Sequence, residues 1–185
     1  DGPSVADLDG NGFPEIFLQA GNSPSNQFYF GGSFINGDVR RKIICYEYNG
    51  VNYVEKWLSD SIAGYQSIED SNPISAADFN GDGIPELYVG NQIFNGATGE
   101  MIVQAGMDNP RGILPEDDLF HWSAQYSVAA DVLPDAFCAD CAGLELIAGN
   151  VVYAVSINTV APASSIMTIA VELDLQGAGD GRTSL

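Results

Sequence analysis

Basic residues are scarce in this sequence: six lysines and arginines stand against 25 aspartates and glutamates, giving a formal net charge of -19 at pH 7. Nucleic acid and anionic membrane surfaces are themselves polyanions, so both repel such a chain. The scarcity of positive charge therefore excludes nucleic acid as an expected partner and favours cations. Acidity alone would indicate only solubility, so the argument depends on where the acids cluster.

Long apolar runs are also missing. No stretch approaches the roughly 18 apolar residues that a membrane-spanning helix needs, so we expect no membrane insertion. The first residues, DGPSVAD, lack the basic and apolar regions of a signal peptide, and any targeting sequence is expected outside this chain. With 45% apolar residues over 185 positions, the chain can still form a sizeable core.

Residues of nucleophilic and zinc chemistry are few. His121 is the single histidine, no G-x-S-x-G motif occurs, and His121 is expected to be a packed loop residue between two aromatic neighbours. Three cysteines allow at most one internal disulfide, and Cys138 and Cys141 are the expected pair in an oxidising compartment, with Cys45 left over. Half a zinc site or a redox motif is the alternative for this C-x-x-C, although the second ligand pair and a βαβ pattern are missing.

Short stretches rich in β-branched and aromatic residues, separated by Gly and Asn, predict an all-β fold. Hairpin turns are expected at Asn49-Gly50 and around Asn95-Gly96 and Thr98-Gly99. Residues 115–125 (PEDDLFHWSAQ) could start one helical turn after their proline, but we interpret them as an inserted loop.

A repeat organises the sequence. Strand, acidic loop and strand recur from Pro3, Pro73 and Tyr126, which predicts repeat units at 1–70, 71–125 and 126–185. Each unit is long enough for about four short strands, so we predict β-propeller blades; a regular sandwich is the alternative. Closed propellers need about four to eight blades. Because the final DGRTSL resembles the initial DGPSV, we expect the three units to be part of a larger propeller.

The acidic loops have the ligand spacing of a hard-cation site. Oxygen-bearing side chains fall at positions 1, 3, 5 and 9, and position 7 offers a backbone carbonyl, a set that suits Ca²⁺. A glycine at position 6 permits the sharp turn. The predicted calcium ligands are Asp7, Asp9, Asn11, Phe13 and Glu15 in the first loop, and Asp78, Asn80, Asp82, Ile84 and Glu86 in the second.

Two other structures could account for these acidic loops. An EF-hand fails, because position 12 is Leu18 or Val89 rather than glutamate and the flanks are β-rich. A metal-free Asx-rich turn is the other alternative.

The third loop departs from the pattern, with Leu133 at a ligand position. A disulfide is expected to replace the ion there, although its acids could bind a cation in another arrangement. These acids are Asp131, Asp135, Asp140 and Glu145.

The motif D-x-[DN]-x-[DN]-G-x-x-[DE] between two strands, matched by Asp7 to Glu15 and by Asp78 to Glu86, resembles the FG-GAP repeats of integrin α-subunit propellers and of bacterial secreted proteins. The Phe-Gly of the family name is absent, and the match is degenerate in the third unit. The resemblance implies structural Ca²⁺ in the loops, partner binding through top-face loops, and an extracellular or cell-surface location.

Two functions remain open at this point. The first is a non-catalytic, calcium-stabilised propeller segment serving adhesion, surface-filament assembly or contact with a protein or glycan ligand. The second is the propeller of a calcium-dependent polysaccharide lyase, although no catalytic acid pair can be separated from the calcium ligands. Remaining blades or other copies of the chain are further expected partners.

Surface features that such partners could use are also visible. The candidates for stacking on sugar rings are Tyr29, Phe30, Phe34, Trp57 and Trp122, most of which are expected in the core. Arg40, Arg41 and Lys42 form a local basic cluster that could dock an acidic neighbour. Asp60-Ser61-Ile62 resembles a bacterial O-glycosylation consensus, with Ser61 as the acceptor.

Overall fold

A computed structural model describes residues 3–19, 42–60, 62, 73–105, 127–139 and 141–173. These residues form three four-stranded antiparallel sheets, each with its strands in chain order. The all-β prediction and the blade-like sheets are confirmed. Among the described residues, the only helical element is a single 3-10 turn at Pro162–Ser164, and none is a helix long and apolar enough to cross a bilayer.

Each sheet lies inside one of the three predicted repeat units, whose exact boundaries remain predictions. The first sheet contains β1 (Ser4–Ala6), β2 (Glu15–Gln19), β3 (Ile43–Tyr48) and β4 (Tyr53–Leu58). The second contains β5 (Ser75–Ala77), β6 (Glu86–Val89), β7 (Gln92–Phe94) and β8 (Met101–Gln104). The third contains β9 (Ser127–Ala130), β10 (Glu145–Ala148), β11 (Val151–Ser156) and β12 (Ile166–Glu172). The candidate helical turn at 115–125 lies outside the described residues.

The predicted hairpin turns are present. Between β3 and β4, the side-chain oxygen of Asn49 accepts hydrogen bonds from the N–H groups of Val51 and Asn52, and Gly50 has a φ of 93°. Between β7 and β8, Asn95 plays the same part for Ala97 and Thr98. An asparagine that bonds its own turn in this way fixes the chain reversal, which is why these short polar stretches end the strands.

The three sheets are stacked, and the second sheet lies in the middle. Leu87 and Val89 of β6 belong to a core cluster shared with the first sheet, where Phe17 and Cys45 are buried. Tyr88, between them in sequence, belongs to a second cluster shared with the third sheet. Because successive side chains on a strand point to opposite faces, the middle sheet is buried on both sides.

A β-bulge recurs at the equivalent place in each sheet. The register between the third and fourth strands shifts at Cys45/Tyr46 in the first sheet, at Ile93/Phe94 in the second and at Val152/Tyr153 in the third. The extra residue on the fourth strand is Lys56, Ile102 and Ala170, respectively. A bulge re-aims side chains beside it, so this position can direct a side chain to a site that a regular strand would not reach.

Candidate functional site

The acidic loops join the first and second strands of each sheet, at residues 7–14, 78–85 and 131–144. Neighbouring loops lie against one another: a Cβ built on Gly10 would be 3.4 Å from Ile84 Cγ1, and one built on Gly143 would be 3.7 Å from the carbonyl oxygen of Phe79. The stacking of the sheets therefore places the three loops in a row along one edge of the molecule.

The first loop is closed by its own side-chain oxygens. Asp7 accepts hydrogen bonds from the N–H groups of Asn11, at 3.1 Å, and of Gly12, at 2.8 Å. Asp9 accepts from Asn11 N–H at 3.0 Å, and Asn11 accepts from Phe13 N–H at 2.7 Å. Positions 1, 3 and 5 thus point their oxygens into the loop, as a cation site would require.

The second loop repeats these bonds one for one. Asp78 accepts from the N–H groups of Asp82, at 3.1 Å, and Gly83, at 2.8 Å. Asn80 accepts from Asp82 N–H at 3.0 Å, and Asp82 accepts from Ile84 N–H at 2.8 Å. Two loops of different sequence therefore share one backbone path, because the oxygen-bearing residues at positions 1, 3 and 5 and the glycine at position 6 are the same in kind.

The donor atoms of the first loop fit a calcium ion in type and spacing. One carboxylate oxygen from each of Asp7, Asp9 and Glu15 lies within 4.8 Å of the others. Oxygens bound to one Ca²⁺ at roughly 2.3 to 2.6 Å are at most about 5 Å apart, so this separation is compatible with a shared ion. Phe13 and Ile84 were predicted to offer backbone carbonyls. The contacts described above involve their N–H groups, and the Phe13 side chain is exposed.

The glutamate that begins the second strand is buried in all three sheets and bonds the loop backbone. Glu15 Oε2 accepts from Leu8 N–H at 2.7 Å, and Glu86 Oε2 accepts from Phe79 N–H at 3.0 Å. Glu145 Oε2 accepts two such bonds, whose donors are Val132 N–H at 2.8 Å and Leu133 N–H at 3.1 Å. One oxygen of each predicted ligand, Glu15 and Glu86, is therefore already used to hold its loop.

Burial raises the pKa of Glu86 to about 7. The negative charges of Asp82 and Asp78 act in the same direction, while the hydrogen bond from Phe79 N–H opposes them. Repulsion between like charges in a partly desolvated loop has this effect, because the ionised form is the costly one. A bound cation would relieve that cost.

Lys56 is a member of the first site that the sequence did not predict. Its ammonium lies 2.5 Å from Asp9 Oδ2, 3.0 Å from Glu15 Oε1 and 3.4 Å from Glu47 Oε2. The hydrogen bond from Lys56 holds the pKa of Asp9 below its usual value. Burial works against the charged form of Lys56, but its bonds to Asp9 and Glu15 outweigh it and leave the lysine pKa raised.

Among its described residues, the third loop does not repeat the side-chain hydrogen bonds that Asp7 and Asp78 make in the other two. Asp131 and Asp135 are exposed, and Asp140 lies outside the described residues. A disulfide joins Cys138 to Cys141 within this loop, and Cys45 is a free, buried thiol. Burial raises the pKa of that thiol to about 12, so it is an inert core side chain at neutral pH. The third loop therefore contains a covalent link between two of its own residues.

Several residues that the sequence analysis named as candidates lie outside the described residues: Ser61, Tyr29, Phe30, Phe34, Trp122, His121, Arg40 and Arg41. Trp57 is described and is half-buried against the first core cluster. It also faces Gly99, where an added Cβ would lie 2.6 Å from Trp57 Cε3. Lys42 donates a hydrogen bond to the carbonyl oxygen of Ser59 at 3.0 Å. Trp57 and Lys42 therefore pack within the fold.

Comparison with protein families finds a match in the middle repeat. Residues 74–100 match the FG-GAP repeat. The matched stretch contains β5, the second acidic loop, β6 and β7. This confirms the resemblance inferred from the loop motif. Neither a curated protein nor a solved structure matches the chain.

Proposed function

We propose, with the FG-GAP repeat of the middle sheet as the premise, that this chain is a non-catalytic, calcium-stabilised propeller segment of a secreted or cell-surface protein. Its role in that protein is interaction: adhesion, surface-filament assembly, or contact with a protein or glycan ligand. The observation that carries the proposal is that the first two loops have the same hydrogen bonds at positions 1, 3 and 5.

Calcium fits these loops because their donors are oxygens and their net charge is negative. The second loop would hold the ion through Asp78, Asn80 and Asp82, with Ile84 offering its carbonyl and Glu86 its second carboxylate oxygen. When bound, the ion supplies the positive charge that offsets repulsion among these acids. The loop side chains hold the backbone path, so the ion stabilises the edge of the stack and has no part in chemistry.

The outer face of the first sheet supports packing against further blades. Ile16 and Tyr46 pair with each other across β2 and β3, as Leu87 and Phe94 do across β6 and β7. The latter two are buried in the cluster between the first and second sheets. Residues at the same repeat positions thus form a blade interface in one sheet and the outer face of the stack in the other.

The third sheet presents the complementary outer face. Ile147 and Val152 pair across β10 and β11, as Tyr88 and Ile93 do across β6 and β7, and Val152 is already buried. Tyr88 and Ile93 are buried in the cluster between the second and third sheets. The stack therefore ends in two different faces of one repeating interface, so further four-stranded blades are the partners that fit them.

A calcium titration of the full chain by isothermal calorimetry tests the proposal. We expect saturable binding with a dissociation constant of about 10⁻⁴ to 10⁻³ M, the range of extracellular calcium modules. Asp78→Asn should weaken this binding, because it removes a carboxylate from the second loop. Asp131→Asn, at the first position of the third loop, is the matched control and should leave the binding unchanged. An absence of binding at several millimolar Ca²⁺ would refute the calcium role.

A further inference from the structure

The first two acidic loops share their internal hydrogen bonds but differ in the charge that surrounds them. In the first loop, Lys56 makes ion pairs with Asp9 and Glu15. Within the described part of the chain, the acids of the second loop have no ion pair. Where the structure describes the chain, the first loop therefore has a positively charged partner and the second loop has none.

The positive charge at the first loop, the Lys56 ammonium group, comes from the bulge on the fourth strand. Lys56 is the extra residue of the bulge in the first sheet, and Ile102 and Ala170 take the equivalent position in the other two. Neither isoleucine nor alanine can neutralise an acid. The difference between the loops therefore comes from one residue at a repeated backbone feature, which a comparison of the loop sequences alone does not show.

The ion pair between Lys56 and Glu15 is well protected from water. Only 14% of the Lys56 side chain and 2% of the Glu15 side chain are exposed. At such sites attraction between opposite charges is less screened than at the surface, and a buried charge that loses its partner is costly. A divalent cation entering the first loop would have to displace the ammonium group or bear its repulsion.

We infer that Lys56 is a tethered counter-cation of the first acidic loop, so that this loop folds without calcium and the second loop binds calcium more tightly than the first. The inference rests on the calcium role proposed above. It assigns that role mainly to the second loop, although one carboxylate oxygen from each of Asp7, Asp9 and Glu15 already lies close together in the first.

Replacing the lysine in the full chain tests the inference. Lys56→Met keeps an apolar stem of similar length and removes the charge, so the weaker calcium site should tighten by about tenfold or more in calorimetry. Lys42→Met is the matched control, because the Lys42 ammonium bonds a carbonyl oxygen rather than an acid. It should leave calcium binding unchanged. An unchanged titration for Lys56→Met would overturn the inference.

A stability measurement gives a second readout on the same variant. In chelator, Lys56→Met should unfold at lower denaturant concentration than the wild type, because Asp9 and Glu15 lose their partner. Millimolar Ca²⁺ should restore more of this loss than Mg²⁺ does. A loss that calcium does not restore would overturn the inference, since it would show that the lysine is a structural ion-pair partner with no relation to the metal.

Variants that retain Lys56 keep the inference testable if Lys56→Met fails to fold. Asp78→Asn should remove the tighter calcium ion from the full chain, whereas Asp7→Asn should leave that ion in place. The reverse result would overturn the inference. The outcomes also distinguish this inference from the proposed function. If the two loops bind calcium equally tightly, and each site is lost with its own aspartate, the inference is refuted and the proposed function stands. If no variant binds calcium, both are refuted.

Discussion

Three glutamates, Glu15, Glu86 and Glu145, are the most deeply buried acids among the described residues, and each has the same role in its sheet. Each begins the second strand and accepts backbone hydrogen bonds from the loop before it. A buried N–H group without a partner costs about 1 to 3 kcal/mol. The glutamate therefore fixes the loop whether or not a cation is bound.

Glu145 gives a clean test of this role, since its loop is not a predicted calcium site. Glu145→Ala would leave the N–H groups of Val132 and Leu133 without their acceptor, and we expect it to lower the free energy of unfolding by about 2 to 4 kcal/mol. Glu145→Gln keeps an acceptor oxygen and should cost clearly less. Urea unfolding of the two variants measures the difference, and equal losses would show that the hydrogen bonds are unimportant.

We expect Glu86 to make the stability of the metal-free protein depend on pH. Its pKa is about 7 in the folded state against an ordinary 4.5, so between these values the folded state binds more protons than the unfolded state. Stability should fall as pH rises from about 4.5 to about 7, by on the order of 3 kcal/mol at most, and this contribution should level off above that range.

Urea unfolding in chelator across this pH range, compared between the wild type and Glu86→Gln, checks the prediction. Glutamine keeps an oxygen for Phe79 N–H but does not titrate, so the variant should lack this part of the pH dependence. Parallel pH profiles for the two proteins would contradict the assignment.

At the scale of elements, contact between the first and second sheets includes the turn between β7 and β8. Trp57 of β4 packs on Gly99 of that turn, and Asp60 accepts a hydrogen bond from Met101 N–H while donating its own N–H to the carbonyl oxygen of Gly99. The turn thus joins the sheets through an aromatic ring and two hydrogen bonds. Tyr88 Oη similarly accepts from Ala129 N–H at 3.2 Å and links the second sheet to the third.

Substitutions at two glycines distinguish the stability cost of a steric clash with Trp57 from the cost of backbone strain. Gly99 and Gly50 have φ values of 75° and 93°, and only Gly99 faces a neighbour at the Cβ position. Gly50→Ala should cost about 1 to 2 kcal/mol through strain alone. Gly99→Ala should cost roughly 1 to 3 kcal/mol more, because the methyl group would overlap the Trp57 ring. Chemical denaturation of both variants tests this, and equal costs would argue against the packing.

The sequence predicted the strands and turns well, because β-branched runs and Asx-Gly turns are local signals. The bulge could not be predicted, since Lys56, Ile102 and Ala170 have no chemistry in common. The sequence therefore did not predict that Lys56 forms ion pairs at the first loop, although it did predict its partners Asp9 and Glu15 as calcium ligands. The correspondence of Glu145 to Glu15 and Glu86 could not be predicted, because the cysteine-containing insertion changes the spacing of the third loop.

At the scale of the whole molecule, the described stack ends in the first and third sheets, and the strand positions that face away from the second sheet carry different apolar residues in the two. A head-to-tail interface of this kind can repeat until it closes into a ring. Leu18 on the outer face of the first sheet is equivalent in the repeat to Val89 of the second sheet. Val89 is buried between the first and second sheets. The surrounding acidity opposes association at low ionic strength, but salt screens it beyond a distance of about 8 Å at 0.15 M.

We expect the chain to self-associate through these faces when no other blades are supplied. Sedimentation equilibrium at 0.15 M salt should show a mass that rises with protein concentration. Leu18→Asp should reduce this rise, while Val51→Asp, in the exposed turn between β3 and β4, should not. Circular dichroism verifies that both variants keep their β-structure. A monomeric wild type up to millimolar concentration would contradict the prediction.

Thermal unfolding of the full chain in calcium and in chelator tests the central claim most directly. At one hundred times its dissociation constant, a bound ion adds about 2.7 kcal/mol of stability, so saturating Ca²⁺ should raise the midpoint by several degrees, and Mg²⁺ should raise it much less. The same melting temperature in calcium, magnesium and chelator would show that the loops are held by their own hydrogen bonds alone and would contradict the claim of a calcium-stabilised segment.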